Sequence, residues 1–466
     1  MENMENTNKT NQKKQIIHDL IKEQEWDALL LIAKKMPVID IVEVLYDLED
    51  DVALDMLKRF SLEEQGRIVN EFDRERQMKL FKLLDRKSFI AIFANMASDV
   101  RADLYQCMNR EQQLELLSSL DEKTRENVKE LSSYDPETAG GIMSTEYVSL
   151  KANMTTEEAI RKIRNIKRNA DNIFILYVID DNRILKGKLS LGTLVSANKD
   201  ARVGDIMLEE FARVNTSTDQ EEVARLLKHR DLVEIPVVNE KERLEGVVTV
   251  DDAIDVLEEE TTDDIFDKVG LADIAMTRRE SSRSEQLVKG PLKNVLKVRV
   301  PFLIITLIGG MLAGAVIDVY EATLEAIAAV AIFIPVIMDM GGNVGTQSST
   351  IFTRALVLGH INMKHFRKHL FREMGIGISI GVIMGAAALA IATLWQGNID
   401  FGYAVGISLA LTMTLATTLG FLIPWVLVKL GFDQAAGSDP FITTVKDVSG
   451  LFIYFTSVSI FLGYLL

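Results

Sequence analysis

Cysteine is almost absent from this sequence. Cys107 is the single cysteine among 466 residues, so the chain can form neither an intramolecular disulfide nor a zinc site built from several cysteines. Cys107 lies in a stretch with helical periodicity, which favours the role of a small core residue.

The sequence also lacks an excess of positive charge. It has 52 Lys and Arg against 68 Asp and Glu, which gives a formal net charge of −16. Nucleic-acid phosphates require the opposite sign, so this balance argues against a nucleic-acid partner. The negative charge fits the attraction of cations, or ordinary solubility.

Two further signals are missing. The first 12 residues, MENMENTNKTNQ, are polar and contain no apolar signal-peptide core, so we expect the N-terminus to stay in the cytoplasm. The chain contains no recognisable nucleophile–base arrangement and no phosphate-binding loop with its lysine, so we do not expect an enzyme.

Long apolar runs are lacking in residues 1–297 but dominate residues 298–466. This contrast predicts a charged front part and a membrane-embedded back part that crosses the bilayer five times. The predicted spans are 300–319, 324–357 with an interruption, 374–395, 403–428 and 439–464.

Basic residues are distributed unevenly between the loops of the back part. The loop 360–373 contains Lys364, Arg367 and Lys368, whereas the connection 395–402 has no lysine or arginine. The positive-inside rule then predicts the N-terminus inside and the C-terminus outside.

The front part begins with a helical repeat. Four stretches that start roughly 24 residues apart, at positions 46, 70, 94 and 118, each have an apolar residue, a polar cap region and a helical pattern. Asp73 and Asp121 stand where a helix N-cap would accept backbone N–H groups. The repeat predicts a superhelical array of short helices over 15–133.

A second repeat follows. YVIDDNRILKGKLSLGTLV (177–195) matches PVVNEKERLEGVVTVDDAI (236–254), and each is preceded by a helical stretch. This doubled α-β-β-α unit resembles a tandem pair of cystathionine-β-synthase (CBS) domains. Such pairs are regulatory modules that often bind adenosine nucleotides or metal ions.

The segment 249–270 is strongly acidic. Like charges at helical spacing repel one another, and carboxylates are the ligands that Mg²⁺ prefers, so the segment is a candidate cation sensor. A solvated acidic linker is the alternative.

Residues 281–300 carry positive charge instead. They predict a basic amphipathic helix that leads to the membrane.

One carboxylate, Asp447, falls inside the last predicted span. An ionised group at that depth is costly unless it faces water or a partner. Glycines at 341–342 and the pair Asp439–Pro440 predict broken backbone that could line a wet cavity. A cation pathway is the leading hypothesis, and a local ion pair with Lys446 is the alternative. Adjacent helical residues point about 100° apart, which predicts that Lys446 and Asp447 pair poorly.

These residues together resemble the MgtE family of magnesium channels and transporters. The segments YDPETAGGIMSTEYV, DQEEVARLL, VVTVDDAIDVLEEE, MGGNVGTQS and FITTVKDVSG occur in the family's order. The likeness covers nearly the whole chain. It implies a homodimer in the cytoplasmic membrane that passes Mg²⁺ down its electrochemical gradient and has its pore on the dimer axis.

The resemblance also implies sites. Asp447 would bind hydrated Mg²⁺ in the pore, helped by Asn343, Thr443 and Asp439. Cytoplasmic Mg²⁺ would bridge acidic residues and shut the pore. These regulatory residues would be Asp99, Asp103, Asp219, Glu221, Asp252, Asp255, Glu260, Asp263, Asp264 and Asp433. Some relatives bind ATP at the CBS pair. The chain departs from the family pattern at Gln434, Asp439 and Asp339.

The sequence therefore predicts a multidomain protein. Its parts are an α-helical superhelical N-terminal domain (15–133), tandem α/β CBS domains (138–202 and 203–264), a connecting helix (265–297) and an all-α transmembrane domain of five helices (298–466).

Two other functions stay open: a carrier of Co²⁺ or Mn²⁺ with the same architecture, and a membrane-anchored CBS sensor that transports nothing. An intramembrane Asp447 argues against a mere anchor.

Overall fold

A computed structural model describes residues 20, 25–165, 173–269, 271, 287–288, 290–431 and 438–465. The described residues fall into two compact units that meet along the chain between Glu259 and Glu260. Each unit is described separately below.

The first unit begins with an array of short helices joined by brief turns. They are α1 Trp26–Ala33, α2 Val38–Tyr46, α3 Asp50–Leu57, α4 Leu62–Asn70, α5 Arg74–Leu83, α6 Arg86–Phe93, α7 Ser98–Cys107, α8 Arg110–Ser119 and α9 Glu122–Leu131. Their apolar faces share one core, which includes Leu45, Leu57, Ile68, Phe93 and Leu104.

The helix starts of this array follow local sequence rules. Asp73 Oδ1 accepts a hydrogen bond from the backbone N–H of Arg76 at 2.7 Å, and Asp121 Oδ1 accepts one from Thr124 at 3.0 Å. Each carboxylate satisfies a backbone donor that would otherwise lack a partner at the helix start. The predicted N-cap roles of Asp73 and Asp121 are thus confirmed.

Two similar α/β repeats complete the first unit. The first contains α10 Ala139–Ile142, β1 Val148–Leu150, α11 Thr156–Arg164, β2 Ile175–Ile179, β3 Leu185–Ser190, α12 Leu191–Ser196 and α13 Val203–Ile206. The second contains β4 Val214–Asn215, α14 Gln220–His229, β5 Glu234–Val238, β6 Leu244–Thr249 and α15 Val250–Lys268, whose last turns belong to the second unit.

The two repeats have the same sheet topology. In each, a short first strand pairs parallel with the second, which pairs antiparallel with the third. Gly187 faces Val178 in one sheet, and Gly246 faces Val237 in the other, so the repeated glycines occupy equivalent register positions. The doubled pattern in the sequence therefore corresponds to a doubled fold.

The second unit is helical. Its helices are α16 Leu292–Val319, α17 Glu321–Ala326, α18 Ile334–Val357, α19 Phe366–Gln396, α20 Ile399–Lys429 and α21 Ser438–Phe461, with 3₁₀ turns at Ala328–Phe333, Met363–His365 and Gly463–Leu465. Much of the predicted connecting helix (265–297) lies outside the described residues.

Four helical segments in the described part of the chain are long and apolar enough to cross a bilayer: Leu292–Val319, Ala328–Val357, Met363–Gln396 and Ile399–Lys429. The fifth predicted span corresponds to α21, which has 24 residues but carries Asp439, Lys446 and Asp447. These charges lower its hydropathy. A fifth crossing stays a prediction, although α21 packs against α16, α18 and α20.

Helices α19 and α20 approach each other closely at Gly385 and Gly406. A Cβ atom added to Gly385 would lie only 2.5 Å from the carbonyl oxygen of Gly406. Small residues let helix backbones approach closely in an apolar medium, where van der Waals packing drives association.

Candidate functional site

Three of the four predicted pore residues lie along one face of α21. Asp439, Thr443 and Asp447 are spaced four residues apart, which places them one above another on a helix. The side chain of Asp447 is 14% exposed, and Asp439 and Thr443 are partly buried. The face offers carboxylate and hydroxyl oxygens within an otherwise apolar helix bundle.

Two oxygens on this face lack a hydrogen bond. Among the described residues, no donor is aligned with Asp439 Oδ1 or Asp447 Oδ1, although both atoms are buried. Ser349 and Lys268 are neighbours of the Asp439 carboxylate. Since a buried acceptor without a partner is unfavourable, Asp439 Oδ1 is a suitable position for a bound cation or its water, whereas Asp447 Oδ1 has the Lys446 ammonium beside it.

Lys446 contacts the candidate site directly. Its ammonium nitrogen contacts Asp447 Oδ1 and donates a hydrogen bond to the carbonyl oxygen of Met338 at 2.7 Å. The side chain is only 3% exposed. The prediction that Lys446 and Asp447 pair poorly is wrong, because the long lysine stem brings the ammonium back to its neighbour.

The predicted break at Gly341–Asn343 is also wrong. Helix α18 runs without interruption from Ile334 to Val357. The irregular backbone lies earlier, at Ile327 (φ −135°, ψ 73°) and the following 3₁₀ turn. The expected break at Asp439–Pro440 is instead the first turn of α21, where proline is tolerated since its missing N–H would have no partner there.

Asn343 lies on an exposed face of α18. Its side-chain amide donates a hydrogen bond to Asp339 Oδ2 at 3.2 Å. With Thr346 and Gln347 it lines a cleft of about 510 Å³, the rest of which is formed by Met340, Val344, Ile380, Met384 and Met413. Within the part of the chain that the structure describes, Asp447 is not part of this lining.

Two predicted regulatory residues approach each other in the first unit. The pKa of Asp99 on α7 is raised to about 7 by burial and by the carboxylates of Asp252 and Asp103. The pKa of Asp252 on α15 is raised to about 6, mainly by burial and also by Asp251 and Asp255. The helical array and the second α/β repeat therefore meet through carboxylates that repel one another.

Other predicted regulatory residues already have local partners. Asp103 forms an ion pair with Arg74, and Glu221 pairs with Arg225. Asp219 caps α14 and accepts a hydrogen bond from the backbone N–H of Glu221 at 2.9 Å. Their regulatory role stays a prediction.

The remaining predicted residues lie on the acidic helix α15 or beyond it. On α15, partial desolvation of the Asp255 carboxyl and the nearby Asp251 raise the pKa of Asp255. Glu260, Asp263 and Asp264 lie on α15 in the second unit, and Asp263 is buried. Asp433 lies outside the described residues. Across the described ranges, no three His, Cys, Asp or Glu side chains are grouped so that they could hold a metal ion.

Two carboxylates were missed by sequence reasoning. Burial and the carboxylates of Asp255 and Asp251 raise the pKa of Glu71, which follows α4. Glu373 on α19 is buried and accepts a hydrogen bond from Ser348 at 2.7 Å. No local motif marks either residue, because their partners are distant in the sequence.

Stability in the absence of divalent cations is expected to depend on pH. A carboxyl group whose pKa is raised on folding stabilises the fold below its unfolded pKa of about 4, and this stability is lost as the pH rises through its folded pKa. For Asp252 and Asp99 those folded values are about 6 and about 7. In EDTA, the Tm of the first unit within the full chain should fall by roughly 10 °C between pH 5 and pH 8.

Thermal unfolding of the full chain in detergent, followed by fluorescence, measures this effect. Mg²⁺ added at pH 8 should restore the Tm, because it replaces the protons. Asp99→Asn combined with Asp252→Asn should flatten the profile in EDTA. A wild-type Tm independent of pH, or a slope that persists in the double variant, would contradict the assignment.

Sequence profiles match most of the chain. A profile described as a divalent cation transporter, MgtE, matches residues 334–457, and the MgtE intracellular N domain matches 36–137. The CBS domain profile matches 139–200 and 203–259. The matched regions fall in the helical array, the two α/β repeats and the helical bundle.

Named proteins and a solved structure are also similar to this chain. The chain is 38% identical to the magnesium transporter MgtE of Thermus thermophilus over 76% of this chain and 78% of the relative. It is 35% identical to the magnesium transporter MgtE of Enterococcus faecalis over 72% of each. A crystal structure of the soluble part of a magnesium transporter matches with a TM-score of 0.51 and 27% identity, over 54% of this chain and 99% of that one.

Proposed function

The chain belongs to the MgtE family of divalent cation transporters, and from this premise we propose that it passes Mg²⁺ across the cytoplasmic membrane down its electrochemical gradient. The observation that carries the proposal is the stripe of Asp439, Thr443 and Asp447 on one face of α21. Among the described residues, its buried oxygen Asp439 Oδ1 has no hydrogen bond, and Asp447 Oδ1 has only the ammonium of Lys446 as a partner.

The chemistry of this stripe suits a hydrated ion. Mg²⁺ releases its water reluctantly and is usually held by one or two carboxylates while it keeps several waters. Asp447 supplies the charge, and Thr443 supplies oxygens one helical turn away. A homodimer would place two such stripes across its axis, so that each hydrated ion meets a carboxylate from each subunit.

Cytoplasmic Mg²⁺ would close this pathway. The carboxylates of Asp99 and Asp252, and those of Glu71 and Asp255, repel each other in pairs that join different elements of the first unit. A divalent cation that bridges each pair would favour the arrangement in which the elements stay together. When Mg²⁺ is scarce, the repulsion would favour separation and an open pore.

For the domain organisation we propose the bounds that the sequence predicts. The proposed parts are 15–133, 138–202, 203–264, 265–297 and 298–466, with the first four in the cytoplasm and the C-terminus outside. The lysine- and arginine-rich loop 360–373 supports this orientation. ATP at the CBS pair stays a prediction.

Patch-clamp recording of the full chain tests the function. We expect inward Mg²⁺ current that declines as cytoplasmic Mg²⁺ is raised, and smaller currents with Mn²⁺, Co²⁺ and Ca²⁺. Larger Co²⁺ or Mn²⁺ currents would establish the carrier of another divalent ion instead. Membranes that carry the folded protein but show no divalent current would favour a sensor without transport.

A further inference from the structure

The path of the Lys446 side chain is unusual for a charged residue in an apolar bundle. It leaves α21 and crosses the surface of α18, and its ammonium reaches the Met338 carbonyl at 2.7 Å. At 3% exposure, the ammonium has exchanged water for two partners, that carbonyl and the Asp447 carboxylate. A buried charge persists only where such partners offset its lost hydration.

Gly341 and Gly342 provide the space for this path. A Cβ on Gly341 would lie 2.8 Å from Lys446 Cδ, and a Cβ on Gly342 would lie 3.2 Å from Lys446 Nζ. The glycine pair therefore forms a groove along α18 that holds the lysine stem. This is a tertiary role, distinct from the break in α18 that the sequence suggested.

The contact with Asp447 differs from the contact with Met338. The hydrogen bond to the Met338 carbonyl has good length and alignment, whereas Asp447 Oδ1 is in contact with the ammonium but has no aligned hydrogen bond. If the ammonium moved away from Asp447, it would still keep the carbonyl as a partner. The carboxylate can thus change partners without leaving the lysine alone in the apolar bundle.

We propose that Lys446 is a specificity- and affinity-determining residue: a tethered cation that occupies the Asp447 carboxylate and that a passing Mg²⁺ must displace. This inference rests on the proposed pore role of Asp447. With Lys446 in place the Lys446–Asp447 pair is neutral, so a divalent ion is attracted less strongly. Conduction requires that an ion bind well enough to enter and weakly enough to leave.

A purely structural role is the competing explanation, in which Lys446 only links α21 to α18. The two explanations differ in the ion dependence of transport. Loss of a structural link would lower the amount of folded protein or the maximal flux and leave the half-saturating Mg²⁺ concentration unchanged. If the Lys446 ammonium competes with Mg²⁺ for Asp447, its removal would lower the half-saturating Mg²⁺ concentration, because Mg²⁺ would no longer have to displace it.

Mg²⁺ uptake into liposomes that contain the full chain measures the half-saturating Mg²⁺ concentration and the maximal flux. Lys446→Met keeps most of the length and an apolar stem but removes the charge, and it should lower the half-saturating Mg²⁺ concentration about tenfold, together with the maximal flux. Block by cobalt hexaammine, a stable analogue of a hydrated cation, should strengthen in parallel. Lys446→Arg keeps the charge and should stay near the wild-type half-saturating concentration.

Gly341→Ala gives an independent test in which the lysine is retained. Its methyl group would displace the stem from the groove, so the half-saturating concentration should shift in the same direction by a smaller factor. Gly375→Ala is the matched control, because a Cβ at Gly375 meets no atom within 4 Å. If Lys446→Met does not fold, the comparison of Gly341→Ala with Gly375→Ala still distinguishes a competing ammonium from a purely structural link.

The outcomes separate this inference from the proposed function. Suppose that Asp447→Asn abolishes flux but that Lys446→Met or Gly341→Ala leaves the half-saturating Mg²⁺ concentration unchanged. That result would overturn the proposed role of Lys446 and would leave Asp447 assigned to the pore. Full flux in Asp447→Asn would overturn both.

Discussion

Asp447→Asn is expected to lower Mg²⁺ flux through the full chain by at least about a hundredfold. A divalent cation about 4 Å from a carboxylate is attracted by roughly 8 kcal/mol at an effective dielectric constant of 20. Incomplete rehydration and the ammonium of Lys446 offset part of this attraction. The asparagine amide preserves the shape of the side chain but leaves Lys446 as an uncompensated positive charge, which repels the ion.

Uptake into liposomes with an internal Mg²⁺ indicator measures this effect, and chromatography of the purified variant shows whether it is folded. Asp318→Asn is the matched control, since Asp318 lies exposed at the end of α16 and is not part of the stripe. A folded Asp447→Asn variant that transports Mg²⁺ at the wild-type rate would remove Asp447 from the pathway.

Replacement of Asp99, Asp252 and Asp255 by asparagine is expected to leave the pore open at cytoplasmic Mg²⁺ concentrations that close the wild type. The change removes the carboxylates through which α15 faces the helical array, including the partner of Glu71. Without them, bound Mg²⁺ no longer distinguishes the closed arrangement from the open one. The Mg²⁺ concentration that halves the current should rise at least about tenfold, which corresponds to a coupling of about 1.4 kcal/mol.

Recordings from excised patches with cytoplasmic Mg²⁺ titrated give this concentration directly. The control variant carries the same charge change at three exposed aspartates of the first unit, Asp55, Asp200 and Asp205. Normal closure of the first variant would place the sensor elsewhere in the chain. Loss of closure in both variants would show that net charge matters and the positions do not.

Features set by short stretches of sequence were predicted well. The caps at Asp73 and Asp121 depend on the three residues that follow each, and the doubled sheet follows from an alternation that the sequence repeats. The reach of Lys446 and the groove at Gly341 depend instead on the packing of two helices about 100 residues apart in the chain. Glu71 could not be predicted as a site residue, because its acidic neighbours come about 180 residues later.

The glycine contact between α19 and α20 has a mechanical consequence. Each helix has 31 residues, and at Gly385 and Gly406 their backbones touch with no side chain between them to change rotamer. Closely packed contacts of this kind resist deformation. We therefore expect α19 and α20 to behave as one stiff unit, so that the two helices move together and do not slide past each other.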